Sequence, residues 1–487
     1  MMKVQQGFGR LQETVKKIEA AKIKMLMTSC SWDYLAPSSD PATFRWAYLD
    51  QLIGTVVNST SLKVAILIDV MRYPKWLHKQ HPDCNARDAG GREYRHLSWF
   101  HPAANEKALG VLQAVSKYLA TKFQGRVVAI QPGYNNEYEA KFTQEYDSFQ
   151  DYNVHAMALY RAYLRDQGQN VDSLNRRWGT TFKGWDQVEP PRLNAGSLTG
   201  IEESSRYWDW QHFRVSFGAS VFNKACGAVK AGGLLCYHHT PEFFSVLDAM
   251  YGASLFKYLS ASPNTDFIIM DSNFRTPNGQ MIHPQKLRVY ISAAIPYGKP
   301  VYFEAAMERY NNMSLLVNGF KASLLAGAPN LGITNWLQGG VPMDEKLTEA
   351  MQGAANPAPC APDELVGVFI HLDSCSAWTG LQWQASSKAP LHEFIDKLAW
   401  NVTARCETDL EVHVELGRFL EAMPRFNRAV FVEPLILYGS AELKDYVRVK
   451  TALDKLPHAI FHLPTNSSRG LELKVFQDLR AAVRDEF

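Results

Sequence analysis

The dipeptide Asn136-Glu137 follows an apolar run that ends in Ile130-Gln131. Hydrolysis of a glycosidic bond needs a carboxylic acid that protonates the leaving oxygen and a second carboxylate that acts as nucleophile or base. Glu137 suits the role of that acid, and Asn136 suits a hydrogen bond to a neighbouring sugar hydroxyl. In a simpler interpretation, Glu137 and Glu139 only cap a helix after the strand. The dipeptide alone does not decide between the two.

Short apolar runs alternate with helical patterns through the first 340 residues, as in a parallel sheet covered by helices. The runs predict seven strands, at 24–28, 64–69, 127–131, 234–237, 267–271, 301–304 and 331–336. The helical patterns lie over 11–21, 43–58, 106–123, 149–165 and 314–326. We therefore predict a TIM (β/α)8-type barrel whose first strand is either short, at Lys3-Val4-Gln5, or missing.

A second, smaller domain is predicted after the barrel. Residues 341–362 lie in a stretch rich in Gly, Ala and Pro and are interpreted as a linker between residues 1–340 and 363–487. Apolar runs at 365–370, 411–414 and 428–432 alternate with helical patterns, which predicts a doubly wound α/β domain. It carries no glycine-rich phosphate-binding motif, so we expect no nucleotide site there.

Polar or aromatic residues stand at or just after the ends of the predicted barrel strands. In a β/α barrel these ends form one rim, and the active site lies there. The residues are Asp69, Gln131, His238, Asp271, Glu304 and Trp336. His238, His239 and Asp271 are expected to bond sugar hydroxyls, although ordinary polar rim residues would follow the same pattern. Two adjacent histidines and an aspartate lack metal-ligand spacing, so no metal site is expected.

Composition excludes several classes of protein. The chain has 487 residues, 51 basic and 49 acidic side chains, and a net charge of +2, which does not suit a nucleic-acid partner. Hydrophobic residues make up 46% and charged residues 21%, as in an ordered globular protein. Aromatic residues, at 12%, suit carbohydrate stacking as well as core packing.

Apolar runs and cysteines indicate where in the cell the protein is expected. No run reaches the roughly 20 apolar residues of a membrane helix, and the opening residues lack a signal-peptide pattern. The seven scattered cysteines are interpreted as reduced thiols. We therefore expect no membrane partner and a cytoplasmic location, or secretion if a leader is absent from this sequence.

Several motifs resemble glycoside hydrolase family 42, the β-galactosidase-type family of a retaining β/α-barrel clan. They cover roughly residues 11–340 and are clearest over 73–214. The most specific is the Leu-Asn-x-x-Trp-Gly-Thr-x-Phe segment at 174–182. It is joined by Pro74-Lys75-Trp76-Leu77, by His81-Pro82-Asp83, by the turn from Trp32 to Pro37, by Asn136-Glu137 and by the helical segment 207–214.

This resemblance implies a retaining, exo-acting β-glycosidase whose substrate is a β-galactoside. If the short or missing first strand is counted, the run 127–131 is strand four and the run 301–304 is strand seven. Glu137, after strand four, would then be the acid/base, and Glu304, on strand seven, the nucleophile. Glu308 is the fallback nucleophile. Alternatively, Glu304 is a strand-end carboxylate paired with Arg309 or Lys299. The amino-acid sequence around Glu304 departs from the family's usual pattern, so the identity of the sugar stays undetermined.

The resemblance also implies substrate-binding residues. Trp336 would be the sugar platform, or alternatively a core residue that closes the barrel. Arg95 would bond both the sugar and the nucleophile, or alternatively pair with Asp88 on the surface. Trp32 is placed among the substrate-binding residues by the turn that it opens.

The second domain resembles the family's trimerisation domain, which points to a homo-oligomer, a trimer or a dimer. The zinc-binding cysteines of some members have no counterpart here, and two carboxylates need no metal or organic cofactor. An endo-acting polysaccharide hydrolase and a non-catalytic carbohydrate-binding barrel remain the alternative functions.

Overall fold

The computed structural model describes residues 2–135, 139–142, 150–192, 201–240, 255–271, 292–306, 330–334, 364–370, 408–432 and 460–462. In chain order, its α-helices begin with α1 (Met2–Ala20), α2 (Trp32–Leu35), α3 (Trp46–Val57), α4 (Lys75–Gln80), α5 (Pro102–Lys122), α6 (Val154–Asp166), α7 (Val171–Trp178) and α8 (Ile201–Ala231). Two further α-helices span Leu255–Ala261 and Leu416–Ala422, and 3-10 turns span Pro41–Thr43, Ile295–Tyr297 and Met423–Arg425.

Two parallel sheets and one hairpin contain the strands. The strands of the first sheet are β1 (Met25–Ser31), β2 (Lys63–Asp69), β5 (Val127–Gly133), β6 (Leu235–Thr240), β7 (Phe267–Asp271), β8 (Val301–Ala306) and β9 (Asn330–Thr334). The hairpin is β3 (Asn85–Arg87) with β4 (Glu93–Leu97). The second sheet contains β10 (Glu364–Ile370), β11 (Thr408–His413), β12 (Arg428–Val432) and β13 (Ile460–His462).

The first sheet is entirely parallel, and its strands follow one another in chain order, β1-β2-β5-β6-β7-β8-β9. This order, with helices between strands, is that of a β/α barrel, so the predicted barrel fold is confirmed. All seven predicted strands are present. The suggestion of a further strand at Lys3-Val4-Gln5 was wrong, because these residues belong to α1.

Two separate apolar layers lie on the two faces of the first sheet. Side chains alternate between the faces of a strand, so residues two positions apart share a face. One layer joins β2, β5, β6 and β7 through Ala65, Ala129, Tyr237, Phe267 and Ile269. Residues of intervening parity, such as Ile66, Ile130 and Ile268, belong to the large core that also contains the buried faces of α3, α5 and α8. The first layer therefore lies on the face turned away from the helices, which is the barrel interior.

Helix ends follow local sequence signals. Asn170 caps α7 because its side-chain oxygen accepts from the Ser173 backbone N–H at 2.9 Å. The Ser173 hydroxyl oxygen in turn accepts from the Asn170 backbone N–H at 3.0 Å, which completes a capping box. The helix ends at Gly179, whose φ of 64° suits glycine. The specific motif at 174–182 therefore forms the end of α7 and its exit turn.

The second sheet has the order β11-β10-β12-β13 and is parallel throughout. Gly367, in the central strand β10, is required for packing, because a Cβ there would lie 2.0 Å from the Phe426 ring. The predicted strands at 365–370, 411–414 and 428–432 are present, and the helix Leu416–Ala422 lies between the last two.

The expectation that all cysteines are reduced was wrong for one pair. Cys226, near the end of α8, is bonded to Cys236 in β6, ten residues away. The cysteine count therefore no longer supports a reducing compartment. None of the described helices combines the length and the apolar character that a bilayer crossing requires.

Candidate active site

A polar layer continues the interior face of the barrel toward the carboxyl ends of its strands. Asp69 follows Ala65 by four positions on β2, Gln131 follows Ala129 by two on β5, and His239 follows Tyr237 by two on β6. Alternation places all three on the interior face. Asp69 and Gln131 are each only 2% exposed. The apolar interior is thus topped by side chains that can hydrogen-bond a polar ligand.

The ends of β2 and β5 are locked together at Gly133. Its carbonyl oxygen accepts from the backbone N–H groups of Val70 (2.9 Å) and Met71 (3.1 Å). A Cβ on Gly133 would lie 3.1 Å from a Leu67 methyl carbon and 3.3 Å from the Asp69 Cα. Glycine is needed because the two backbones approach closely, and this contact fixes the chain that leads to Glu137.

Glu137 and Asn136 lie outside the described residues, but their neighbours on both sides are well connected. Asn135 is fully buried and its side-chain amide donates to the carbonyls of Lys141 and Phe142, both at 3.3 Å. The Ala140 N–H donates to the carbonyl of His239 at 2.6 Å. The chain around Glu137 is therefore attached to the end of β6, the next strand of the barrel.

Glu139, the second carboxylate of this segment, has a structural partner. It forms an ion pair with Lys141, and both side chains are buried, at 7% and 5% exposure. Residues 139–142 form bends and no helix. Among the described residues, the interpretation of Glu139 as a helix cap therefore finds no support.

Asp69 has an unusual electrostatic environment. Burial raises the pKa of Asp69 to about 6, against the opposing effects of the Arg72 backbone N–H and the Arg72 guanidinium. Both Arg72 groups lie 3.2 Å from carboxylate oxygens of Asp69. A buried carboxyl that titrates near neutrality can hold or release a proton at the strand ends.

Glu304 and Asp271 occupy paired strand positions. Asp271 is the last residue of β7 and lies opposite Glu304 on β8, which in turn lies opposite Gly332 on β9. Lys299, one of the two basic residues considered as partners of Glu304, donates instead to the carbonyls of Ser262 (2.9 Å) and Thr265 (2.6 Å). That lysine is therefore occupied at the opposite, amino-terminal end of β8.

The two histidines of β6 face different surroundings. His238 is buried against α8, where its Nε2 lies 3.3 Å from the Cys226 sulfur and its ring meets Phe222 edge-on at 5.2 Å. Burial lowers the pKa of His238 to about 3, so it stays neutral. His239 belongs to the opposite, interior face. Of the two, His239 is the one that shares a face with Asp69 and Gln131.

Arg95 is exposed on β4 and lines an open pocket of about 510 Å³. The alternative of a surface pair with Asp88 finds no support among the described contacts. Asp88 accepts instead from the Tyr94 hydroxyl at 2.6 Å and from the Arg92 backbone N–H at 2.9 Å.

Trp32, in α2, is fully buried and meets Trp76 edge-on at 6.0 Å. It forms part of the large core between sheet and helices. Trp336, the other predicted aromatic contact, lies outside the described residues, as does the fallback Glu308.

One cluster was missed by the sequence interpretation. Asp83 accepts from His101 Nε2 (3.1 Å) and from His155 Nε2 (2.8 Å). Within the described ranges these three residues form the one group of His, Cys, Asp and Glu close enough to hold a metal ion. However, His101 Nδ1 accepts from the Ala104 N–H at the start of α5, so its proton lies on Nε2 and points to Asp83. This protonation suits a hydrogen-bonded cluster and not a free metal ligand.

A parallel sheet in barrel order, with a polar layer at its carboxyl ends, defines the class of β/α-barrel proteins that carry a site at that rim. The model of glycoside hydrolase family 42 (Glyco_hydro_42, Beta-galactosidase) matches residues 5–305. The chain belongs to this family.

Relatives and solved structures agree with this assignment. A curated β-galactosidase from Thermus thermophilus is 25% identical over 254 residues, which is 49% of this chain and 37% of the relative. BgaB from Geobacillus sp. is 24% identical over 202 residues, or 40% and 29% of the two chains. This chain therefore matches only about a third of the length of these relatives. The β-galactosidase of Halorubrum lacusprofundi has a TM-score of 0.71 at 15% identity, over 96% of this chain and 74% of its own, which shows a shared fold.

Proposed function

We propose that the protein is a retaining β-glycosidase that acts on β-galactosides from their non-reducing end. The observation that carries the proposal is the polar layer of Asp69, Gln131 and His239, with the chain around Glu137 attached directly to it through the Ala140–His239 hydrogen bond. A sugar needs many hydrogen-bonding groups above an apolar floor, and this layer supplies such groups beside the described segment 139–142.

Glu137 is the proposed acid/base and Glu304 the proposed nucleophile. Position 304 follows Tyr302 by two, and Tyr302 packs against the interior apolar layer, so alternation predicts that position 304 belongs to the interior face. The same parity applies to Asp271, which follows Ile269 by two. In the first step, Glu304 attacks the anomeric carbon while Glu137 protonates the leaving oxygen. In the second, Glu137 activates water, which releases the sugar with its original configuration.

Other substrate-binding residues are proposed at the rim formed by the strand ends. We propose that His239 and Asp271 bond sugar hydroxyls, together with Asn136, and that Trp336 stacks on the sugar. His238 and Trp32 have core environments, so we assign them no direct contact with substrate. Galactose is proposed as the sugar because the curated relatives that match are β-galactosidases.

We also propose that residues 1–340 form the catalytic domain, that 341–362 link it to a second domain at 363–487, and that the chain assembles with copies of itself. The two separate parallel sheets support the division. Light scattering of the intact protein tests the assembly.

A panel of aryl β-glycosides tests the proposed activity. We expect aryl β-galactoside to be hydrolysed faster than the glucoside, xyloside or mannoside, and proton NMR to show the β-anomer of galactose as the first product. Turnover of long polysaccharides without aryl glycosides would instead favour an endo-acting enzyme. Binding of galactosides without any hydrolysis would favour a non-catalytic barrel.

A further inference from the structure

A fully buried arginine of α8 lies against the chain that follows the proposed acid. The guanidinium carbon of Arg214 is 4.0 Å from the centre of the Phe142 ring, and both side chains are buried. Burial lowers the pKa of Arg214 to about 10, so the side chain stays charged at neutral pH. The face of an aromatic ring attracts a cation, and more strongly where water is excluded. The contact between Arg214 and Phe142 is therefore a buried cation–π interaction.

The other face of the Phe142 ring is covered by Trp99. The two rings stack with their centroids 4.1 Å apart and an angle of 24° between their planes. Close-packed groups cannot share one face of a ring, so the guanidinium and the indole enclose Phe142 from opposite sides. Trp99 Nε1 in turn donates to the carbonyl of Tyr134, the residue after β5, at 3.2 Å. Phe142 is thus held between α8 and a side chain that is bonded to the end of β5.

Phe142 also closes the segment that contains Glu137. The Asn135 side-chain amide donates to the carbonyls of Lys141 and Phe142, both at 3.3 Å. Asn135 precedes Glu137 and Phe142 follows it, so these hydrogen bonds join the two ends of a short loop. A displacement of Phe142 would therefore be transmitted to the chain on both sides of the proposed acid.

The position of Arg214 is fixed by its own neighbours. Its guanidinium donates to the side-chain oxygen of Gln211, one turn earlier in α8, and the Gln211 amide donates to the Tyr207 hydroxyl at 2.6 Å. The buried carboxyl group of Asp151 supplies a negative charge that opposes the effect of burial on the arginine. Arg214 can therefore hold Phe142 in one place, because a helix of the barrel wall carries it.

We propose that Arg214 is a positioning residue for the acid/base: by holding Phe142 it keeps the segment of Glu137 where its carboxyl group can protonate the leaving oxygen. The proposal rests on the proposed function, which makes Glu137 the acid. Because Arg214 is buried in the core, it acts through Phe142 and does not bind the substrate. Proton transfer depends on geometry, and a misplacement of about 1 Å can lower a rate on the order of a hundredfold.

Two leaving groups test this role, because only one of them needs the acid. Phenolate leaves slowly unless Glu137 protonates it, whereas dinitrophenolate leaves without a proton. In Arg214→Met we expect kcat/KM to fall by about 30–100-fold on phenyl β-galactoside and by less than about threefold on the dinitrophenyl glycoside. Arg214→Lys, which keeps a cation beside the ring, should recover part of the loss. Equal losses on both glycosides would overturn the proposal.

Arg206→Met is the matched control. Arg206 belongs to the same helix and also lies over a phenylalanine ring, that of Phe182, at 5.3 Å. Its guanidinium donates to the carbonyls of Glu189 and Pro190, away from the segment of Glu137 in the sequence. Its replacement should leave the ratio of the two kcat/KM values unchanged within about twofold. A change of this ratio as large as in Arg214→Met would overturn the proposal, since any buried arginine of α8 would then act alike.

Phe142→Leu removes the same contact from the side of the ring, and it carries the test if Arg214→Met does not fold. It should show the same selective loss on phenyl β-galactoside. The double variant should lose no more than either single variant, because all three break one contact. Fully additive losses would contradict the proposal, since Arg214 would then act by another route.

Hydrogen exchange supplies a measurement that does not depend on activity. The amides of residues 134–142 should exchange about tenfold faster in Arg214→Met than in the unaltered protein, and at the unaltered rate in Arg206→Met. Unchanged exchange in Arg214→Met would overturn the proposal. Faster exchange, together with no hydrolysis of either glycoside by the unaltered protein, would refute the proposed function and leave Arg214 assigned as the anchor of this segment.

Discussion

Ala140 and His239 join two neighbouring strand ends of the barrel. The Ala140 N–H donates to the His239 carbonyl at 2.6 Å. Ala140 follows Glu137 by three residues, and His239 is the histidine of β6 that belongs to the interior face. This contact holds the described segment 139–142 against β6. The segment is further tied down by Asn135 and by the Glu139–Lys141 ion pair. Changes to these supports should therefore affect stability and activity together.

The buried ion pair is the first test. Lys141→Met leaves the Glu139 carboxylate buried without its partner, and we expect the free energy of unfolding to fall by about 3 kcal/mol. The double change with Glu139→Gln should recover part of this loss, because no charge then remains buried. Urea unfolding of the single and double variants measures both values. Equal stability of the two variants would show that the charge of Glu139 does not matter.

Gly133 is predicted to resist any side chain. Gly133→Ala places a Cβ within 3.1–3.3 Å of Leu67, Ile68 and Asp69 and should lower the free energy of unfolding by about 1–3 kcal/mol. Gly110→Ala is the matched control, because Gly110 lies within α5 and a Cβ there meets nothing within 4 Å. That change should raise stability by about 0.5–1 kcal/mol. Thermal unfolding of the two variants should therefore move in opposite directions.

Asp69 should make stability depend on pH. Burial raises its pKa to about 6 in the folded protein, above the ordinary aspartate value of 3.8, so folding favours the protonated form. Stability is then greatest below about pH 4 for this group and falls as pH rises through 6, by on the order of 3 kcal/mol. Asp69→Asn should remove this part of the pH dependence, as measured by urea unfolding between pH 4 and 8. An identical pH profile in the variant would mean that Asp69 ionises as it does in the unfolded chain.

Asp83 should give the opposite dependence of stability on pH. Hydrogen bonds from His155 and His101 lower the pKa of Asp83 to about 2, against the effect of burial. Its contribution is present above about pH 4 and is lost as pH falls through 2. At pH 7, Asp83→Asn should destabilise the protein by about 0.5–1 kcal/mol, because two imidazoles lose a charged acceptor that is half exposed and therefore screened by solvent. Asp166→Asn, at an exposed site that ends α6, is the control and should change stability by less than about 0.5 kcal/mol.

Much of the barrel could be predicted from sequence because each strand is an apolar run that ends at a polar residue. Strand β7 was predicted with its observed bounds, and β2 to within one residue. The hairpin β3–β4 was missed, since Asn85–Arg87 and Glu93–Leu97 are short and mostly polar. Met2–Ala20 is a single helix, which removes the suggested strand at its start.

The site was harder to predict because it depends on which face of a strand a residue occupies. His238 and His239 are adjacent and have the same side chain, so their sequence does not distinguish them. Strand alternation turns His238 toward the helices and His239 toward the barrel interior. Asp69 and Gln131 were recognised only as strand ends, and alternation would have placed them with His239. Asp83 lies 18 residues from His101 and 72 from His155, so sequence spacing carries no signal for that cluster. The Cys226–Cys236 pair likewise depends on how α8 meets β6.

Chemical rescue of Glu304→Ala tests the assignment of the nucleophile most directly. Removal of the proposed nucleophile should lower kcat/KM on aryl β-galactoside by more than about a thousandfold. Added azide should then restore turnover and give the α-galactosyl azide, because the small anion attacks from the face that Glu304 leaves empty. The parallel variant Glu308→Ala tests the fallback position under the same conditions. Full activity in Glu304→Ala, or azide rescue only in Glu308→Ala, would contradict the assignment of Glu304 as the nucleophile.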